Sequence, residues 1–326
     1  MAEPDDDEAC RPCHAAIVDQ WAVSQHATAW SDPVFQAGYA VDREPECRAC
    51  HAPLAKGDRD PAPGSIAAKV GIACRVCHAT AGVIVGPAGG GVHGGPAQPG
   101  WGTSEVCRSC HQFNFAPDTP SRRAVFDPGE WMQRTYAEWE ASGSACTCQD
   151  CHMPWETDAL GQRHRSHRML GIADVDAMAR AVAVMVQAEL RDGSVVVTTE
   201  IAVDGQQLAH AFPTGDMFRT ARLEVWPVDE PGEVQAVLMR REFGRVARPD
   251  ADGRTRLWMA EVGDSRPRPG HPTRRTLRWG HAFSEVKWRL THLRMDTARA
   301  SRQGVDDSTN ARVVAQGQVT VSTPRG

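Results

Sequence analysis

Cys10-Arg11-Pro12-Cys13-His14, Cys47-Arg48-Ala49-Cys50-His51, Cys74-Arg75-Val76-Cys77-His78, Cys107-Arg108-Ser109-Cys110-His111 and Cys148-Gln149-Asp150-Cys151-His152 are five copies of one pattern in the first half of the chain. In each, two thiols stand three positions apart and a histidine follows the second directly. This is the attachment signature of haem c. The thiols add to the haem vinyl groups as thioethers, and the histidine comes under the iron as its proximal ligand. One short turn of chain must reach both vinyl positions and the iron, which fixes the spacing. Paired Cys-x-x-Cys units also suit tetrahedral zinc or a disulfide framework, but neither explains a histidine after the second cysteine five times in five. A thioredoxin-like redox motif would occur once. The expected cofactors are therefore five covalently attached haem c groups, with His14, His51, His78, His111 and His152 as iron ligands. Ten of the eleven cysteines are used. The eleventh, Cys146, precedes Cys148 by two positions; it is read as a spare thiol rather than as a substitute for Cys148 in an expanded motif.

The chain has 326 residues, a length that suggests two domains. Its net charge is −5 before any haem propionate is counted, which argues against nucleic acid as a partner. No apolar run is long enough to span a membrane. The opening Met1-Ala2-Glu3-Pro4-Asp5 shows no export signal. Haem c is attached outside the bacterial cytoplasm, so a periplasmic or extracellular location is expected, with the numbering starting at a trimmed mature end.

Residues 1–172 hold every motif and should form a pentahaem domain of short helices and loops, with macrocycles in place of a side-chain core. Gly/Pro-rich stretches at 57–64 and 82–100 read as loops, and residues 127–142 read as helical with Gly143 as the stop. The period changes after about 180. Val182, Val184 and Val186 alternate with small or polar residues, Asp192-Gly193 is a turn signal, and Val195, Val197, Thr199 and Ile201 repeat the alternation. This is a β-hairpin pattern. Further strands are expected near 221–228, 234–244, 275–283, 285–295 and 311–322, so residues 173–326 read as an all-β, immunoglobulin-like sandwich. The arginines of 240–256 and 266–278 read as a solvated face, with an acidic partner's docking patch as the sharper alternative.

Thirteen histidines are present and five are proximal. Among the other eight, His26 has the reach and helical setting of a second iron ligand. His93 sits in the glycine loop after the third motif and is also expected to ligate. Of His164 and His167, which follow the fifth motif, His167 is the expected ligand. His210, in His210-Ala211-Phe212-Pro213-Thr214-Gly215-Asp216, is read as a ligand supplied from a tight turn of the second domain, against the alternative of supporting that turn. His271, His281 and His292 read as structural or surface residues.

At these motifs the chain resembles the multihaem cytochrome c superfamily. Trp21…Ser24…His26-Ala27 and the glycine-loop histidine are similar to the tetrahaem cytochrome that accepts electrons from hydroxylamine oxidoreductase, over roughly residues 8–115. That resemblance implies His26 on the third haem, His93 on the first, and a second haem without a distal ligand. Cys148–Pro154 is similar to the last haem segments of pentahaem nitrite reductases, where a downstream histidine is a distal ligand. His210–Asp216 followed by strands resembles the C-terminal β-domain of exported multihaem cytochromes. No Cys-x-x-Cys-Lys motif occurs, unlike in the nitrite reductases, and neither Tyr39 nor Tyr136 has a motif supporting a haem crosslink.

The function expected is one-electron transfer along mostly bis-histidine haems to a redox partner protein or an extracellular acceptor, with no catalytic residue. The alternatives are a reductase of a nitrogen or sulfur oxyanion with one open haem, and self-association into a conductive filament. Arg11, Arg48, Arg75 and Arg108, at the first variable position of four motifs, read equally as propionate partners or as surface residues.

Overall fold

The protein is described by a computed structural model covering residues 7–41, 43–55, 59–80, 82–86, 93–98, 100–114, 126–169, 171–250 and 252–323. The chain forms two compact units. One comprises Met1–His111, Ala145–Gly171 and Gln303–Val305; the other comprises Gln112–Ser144, Ile172–Arg302 and Asp306–Gly326.

The first unit is built from short helices that place the motifs. Prolines open three of them: Arg11–Ala22, Pro33–Tyr39 and Pro45–His51. A proline costs nothing in a first turn, where its missing N–H would have no intrahelical partner. Four motif helices end on the motif histidine: Pro45–His51, Cys74–His78, Glu105–His111 and Cys148–His152. The last is fixed by a capping box in which Thr147 and Asp150 satisfy each other's backbone N–H. In the first motif the helix kinks at His14 (φ −127°, ψ 36°). Large buried apolar side chains are sparse here; Trp30, Tyr39 and Ala52 form a small cluster with Phe35, Cys47, Ala55 and Ala68. Of the glycine loop at 86–96, residues 87–92 lie outside the described residues.

The second unit contains the hairpin expected from the valine alternation. Val182–Arg191 pairs antiparallel with Ser194–Val203, from Val182↔Val203 to Arg191↔Ser194. Asp192 and Gly193 both have positive φ (49° and 76°), as a two-residue type I′ turn requires. Thr273–Trp279 adds to this hairpin and completes a three-stranded sheet. A five-stranded antiparallel sheet runs in the order Thr255–Asp264, Gln235–Pro249, Thr220–Pro227, Glu285–Leu293, Ala311–Thr320. Val195, Val197 and Ile201 from the first sheet and Leu223, Val225, Met239, Val286 and Leu290 from the second share one buried core. Each such side chain contributes roughly 1.5–3 kcal/mol by leaving water.

Three local expectations change. Helix formation over 127–142 starts only at Thr135, because Trp131–Arg134 is a strand paired with Gln112–Asn114. The Arg241 guanidinium donates to the carbonyls of Trp131 and Met132 and holds that strand in place. Thr255–Asp264 is an additional strand whose alternation buries Trp258 and Ala260. The arginine-rich segments are not uniformly solvated either. Arg241 and Arg266 are buried, Arg241 paired with Glu261 at 2.7 Å, and Arg266 with Glu138 at 2.6 Å and Asp264 at 2.8 Å.

Candidate haem-binding sites

The Cys-x-x-Cys-His geometry follows from the helices that carry it. Residues i and i+3 of a helical turn share a face, so each cysteine pair and its histidine are offered within one turn. None of the eleven cysteines forms a disulfide, and each motif thiol is at least partly exposed, as attachment to a prosthetic group requires. Cys146 is exposed and stands close to Cys151.

Three pairs of imidazoles face one another across the first unit. The ring centroids of His14 and His93 are 6.2 Å apart, those of His26 and His111 6.3 Å, and those of His78 and His167 6.1 Å. An imidazole nitrogen binds a transition metal at about 2 Å, so two ligands on opposite sides of one ion set their ring centres roughly 6 Å apart. The spacing matches what an iron between each pair needs. The residues therefore fit haem iron at the first, third and fourth motifs.

The local chemistry agrees. His26 Nδ1 is buried with no hydrogen-bond partner among the described residues, a cost that an iron bound at that nitrogen would remove. Burial, and then the charges of His152 and His51, push His26 down to about 4. Burial and His167 likewise hold His78 at about 4, and burial lowers His167. These rings are neutral, the form that ligates metal. The carbonyl of Arg165 accepts from His167 Nδ1 at 2.8 Å, and that of Ala29 accepts from His51 Nδ1 at 2.8 Å. Both contacts fix the tautomer that presents Nε2 to a metal.

The pairing differs from the one the resemblance implies at two sites. His26 faces the fourth motif and not the third, and the third is faced by His167. His26 is pinned by its backbone next to the third motif: its carbonyl accepts from Ile72 N–H at 2.9 Å, and Gly71 (φ +51°) lies so close that a Cβ there would meet His26 O at 2.5 Å. Its ring nevertheless reaches the fourth. Phe35 and Trp101 are site residues that no motif announces. Phe35 stacks on His51 at 3.7 Å and 9°, while Trp101 packs 4.8 Å from His78 and donates from its indole to Cys77 O at 3.0 Å.

His164 lies on the strand Arg163–Arg165 with its Nε2 buried and unpartnered among the described residues. His210 belongs to the second unit, with its Nδ1 3.0 Å from Ala211 O. The Glu138 carboxylate accepts from Ala211 N–H and the Thr214 hydroxyl in the same turn. His292 is buried against Phe212, His281 faces Glu230 at 3.3 Å, and His271 lies in an exposed turn. Among the arginines of the motifs, Arg11 pairs with Asp19, Arg48 with Asp60 and Arg108 with Glu105. Only the Arg48 pair involves a buried arginine.

Residues 9–79 match the family model described as cytochrome c554 and c-prime. Among solved structures, a penta-heme cytochrome c552 from Thermochromatium tepidum superposes with a TM-score of 0.73 at 20% identity, covering 98% of this chain and 100% of that one. A putative ApaA protein from Bordetella pertussis aligns over 44% of this chain and 94% of its own at 12% identity and a TM-score of 0.19, too low to carry an argument. A search of curated proteins finds no match.

Proposed function

We propose that this chain, a multihaem c-type cytochrome with covalently attached haem c, carries electrons one at a time through a series of mostly bis-histidine irons. A redox partner protein or an extracellular acceptor receives them, outside the cytoplasm. The observation that carries this reading is the set of three imidazole pairs spaced 6.1–6.3 Å apart. When bound, haem c supplies reversible one-electron chemistry. The chain's own residues do the rest. At the first, third and fourth motifs the paired imidazoles would leave a bound haem no coordination position for a substrate, and without the methionine that raises potential those irons would sit at low potential. The Ala29 and Arg165 carbonyls orient their imidazoles, and Phe35 and Trp101 exclude water from the histidine faces. No helix among the described residues is long and apolar enough to cross a membrane.

The β unit is proposed to be an immunoglobulin-like sandwich. The strands of its two main sheets map in chain order onto A, B and E in one and G, F, C, C′ and C″ in the other, the variable-type plan without a D strand among the described residues. Its role is to cap the array or dock a partner, and its His210 is proposed to ligate an iron.

The test is substitution of His93, His26 and His167 to Ala, one at a time, in the haem-loaded protein. Each is expected to convert one iron from low to high spin in the EPR spectrum without loss of attached haem. A spectrum unchanged in all three removes the bis-histidine assignment.

A further inference from the structure

Two connections meet at one end of the β unit. Residues 228–234 join Thr220–Pro227 to Gln235–Pro249, and residues 280–284 lead from Thr273–Trp279 in the three-stranded sheet to Glu285–Leu293 in the five-stranded one. They are fastened to each other. Val228 N–H donates to Glu285 O at 3.1 Å, the Trp279 indole to Glu233 O at 3.3 Å, and Gln235 Nε2 to Arg278 O at 2.6 Å. Glu233 N–H donates to Glu230 O at 3.1 Å and closes a turn that carries both glutamates. Across from it, the His281 ring packs on Phe283 with centroids 5.6 Å apart, and Phe283 packs edge-on against Trp279 at 5.7 Å.

Three donor atoms converge there. A carboxylate oxygen of Glu230, one of Glu233 and a ring nitrogen of His281 all lie within 4.8 Å of one another. His281 Nε2 is 3.3 Å from Glu230 Oε2 and 3.8 Å from Glu233 Oε2. An ordinary ion pair would make one of these contacts a hydrogen bond. Instead Nε2 is shut off from water and has no hydrogen-bond partner among the described residues, a state that in a native fold points to a missing ligand. His281 is also the only basic group paired with either carboxylate among the described residues. Two carboxylates facing at most one positive charge leave a negative excess that a cation balances. The distances fit as well: around a tetrahedral ion, bonds of about 2.0–2.2 Å set neighbouring donors roughly 3.3–3.6 Å apart.

From this geometry we propose that Glu230, Glu233 and His281 bind one divalent transition-metal ion of the zinc class, at a site separate from the haems. The imidazole selects against calcium and magnesium, which take oxygen donors. Three protein ligands leave a fourth tetrahedral corner for water on the side where both carboxylates are exposed. The bound ion ties the 228–234 connection to the crossing between the two sheets, so it stabilises the folded β unit by mass action. This site does not depend on the electron-carrier reading and stands or falls separately from it.

The experiment uses the haem-loaded full chain, cleared of loosely held metal with EDTA and dialysed against Zn2+ alone. Metal analysis counts zinc per chain, and a thermal unfolding series follows the β unit by far-ultraviolet circular dichroism. The wild-type protein is expected to hold a zinc ion that excess Ca2+ does not displace, and its unfolding midpoint should rise with zinc. His281→Ala and Glu230→Gln should each weaken that binding by at least about tenfold and abolish the rise. Glu230 is exposed, so Glu230→Gln decides if His281→Ala does not fold. No zinc in the wild-type protein, equal zinc in wild type and variants, or binding that excess Ca2+ removes would each overturn the site and leave an acidic surface patch only.

Discussion

Removing the Glu138 carboxylate should destabilise the second unit by several kcal/mol. Oε1 accepts from Arg266 at 2.6 Å and from Arg134 at 3.3 Å; Oε2 accepts from the Thr214 hydroxyl at 2.6 Å and from Ala211 N–H at 3.3 Å. The Arg266 side chain is only 3% exposed, so Glu138→Ala leaves a buried guanidinium with Asp264 as its remaining carboxylate. Breaking a buried pair costs about 3–5 kcal/mol, and the surviving Asp264 contact puts this case at the low end, about 3 kcal/mol. With a urea slope of about 2 kcal/mol/M, the midpoint should fall by roughly 1.5 M. The assay is urea unfolding of the haem-loaded protein, followed by far-ultraviolet circular dichroism. Its pH dependence has a definite sign. Burial alone would raise the Glu138 carboxyl, but the Arg266 charge and the hydrogen bonds from Thr214 and Arg266 prevail and hold it below its ordinary value. A depressed folded pKa contributes stability above the unfolded value, about 4.3, and loses it as pH falls through the folded value. The gap between wild type and variant should be full at neutral pH and shrink in the acid range below about 4.3. A midpoint loss under about 0.3 M, or a gap that widens on acidification, would refute the reasoning.

Two further outcomes are expected. Burial, and then Arg219 and Arg294, push the His292 imidazole down to about 3. The unfolded chain takes up that proton near pH 6.5, so stability drains away as pH falls from there towards 3, by up to about 1.4 kcal/mol per pH unit; His292→Phe should flatten this slope between urea midpoints measured at pH 7 and pH 5. Gly71→Ala forces a Cβ to within 2.5 Å of His26 O and 2.8 Å of Ala29 N at a φ of +51°. It should cost about 1–3 kcal/mol in strain and displace His26 from His111, seen as a high-spin EPR signal equal to one of the five irons.

Where the rule is local, the chain could be read directly. The Cys-x-x-Cys-His spacing needs only one helical turn, and Asp192-Gly193 supplies the positive φ angles of its hairpin turn. The valine alternation marked Val182–Val203 because one face of each strand meets the shared core. What could not be read depends on distant partners. His26 looks the same in sequence whether it faces His78 or His111; only in the folded chain does its ring stand 6.3 Å from that of His111. Arg241 and Arg266 look like their solvated neighbours until Glu261, Glu138 and Asp264 are brought to them. Thr255–Asp264 was obscured by the arginines and aspartates around it, although Trp258 and Ala260 carry the two-residue period. Phe35 and Trp101 bear no motif, because stacking on a ligand histidine asks only for an aromatic ring at the right place.

Low-temperature EPR of the oxidised wild-type protein, with haem content fixed by pyridine haemochrome, tests the central claim most directly. Five haems per chain with at least three low-spin irons is the expected result, one for each imidazole pair. Fewer than three low-spin irons at full haem content would contradict the paired-histidine array and the electron-carrier function built on it.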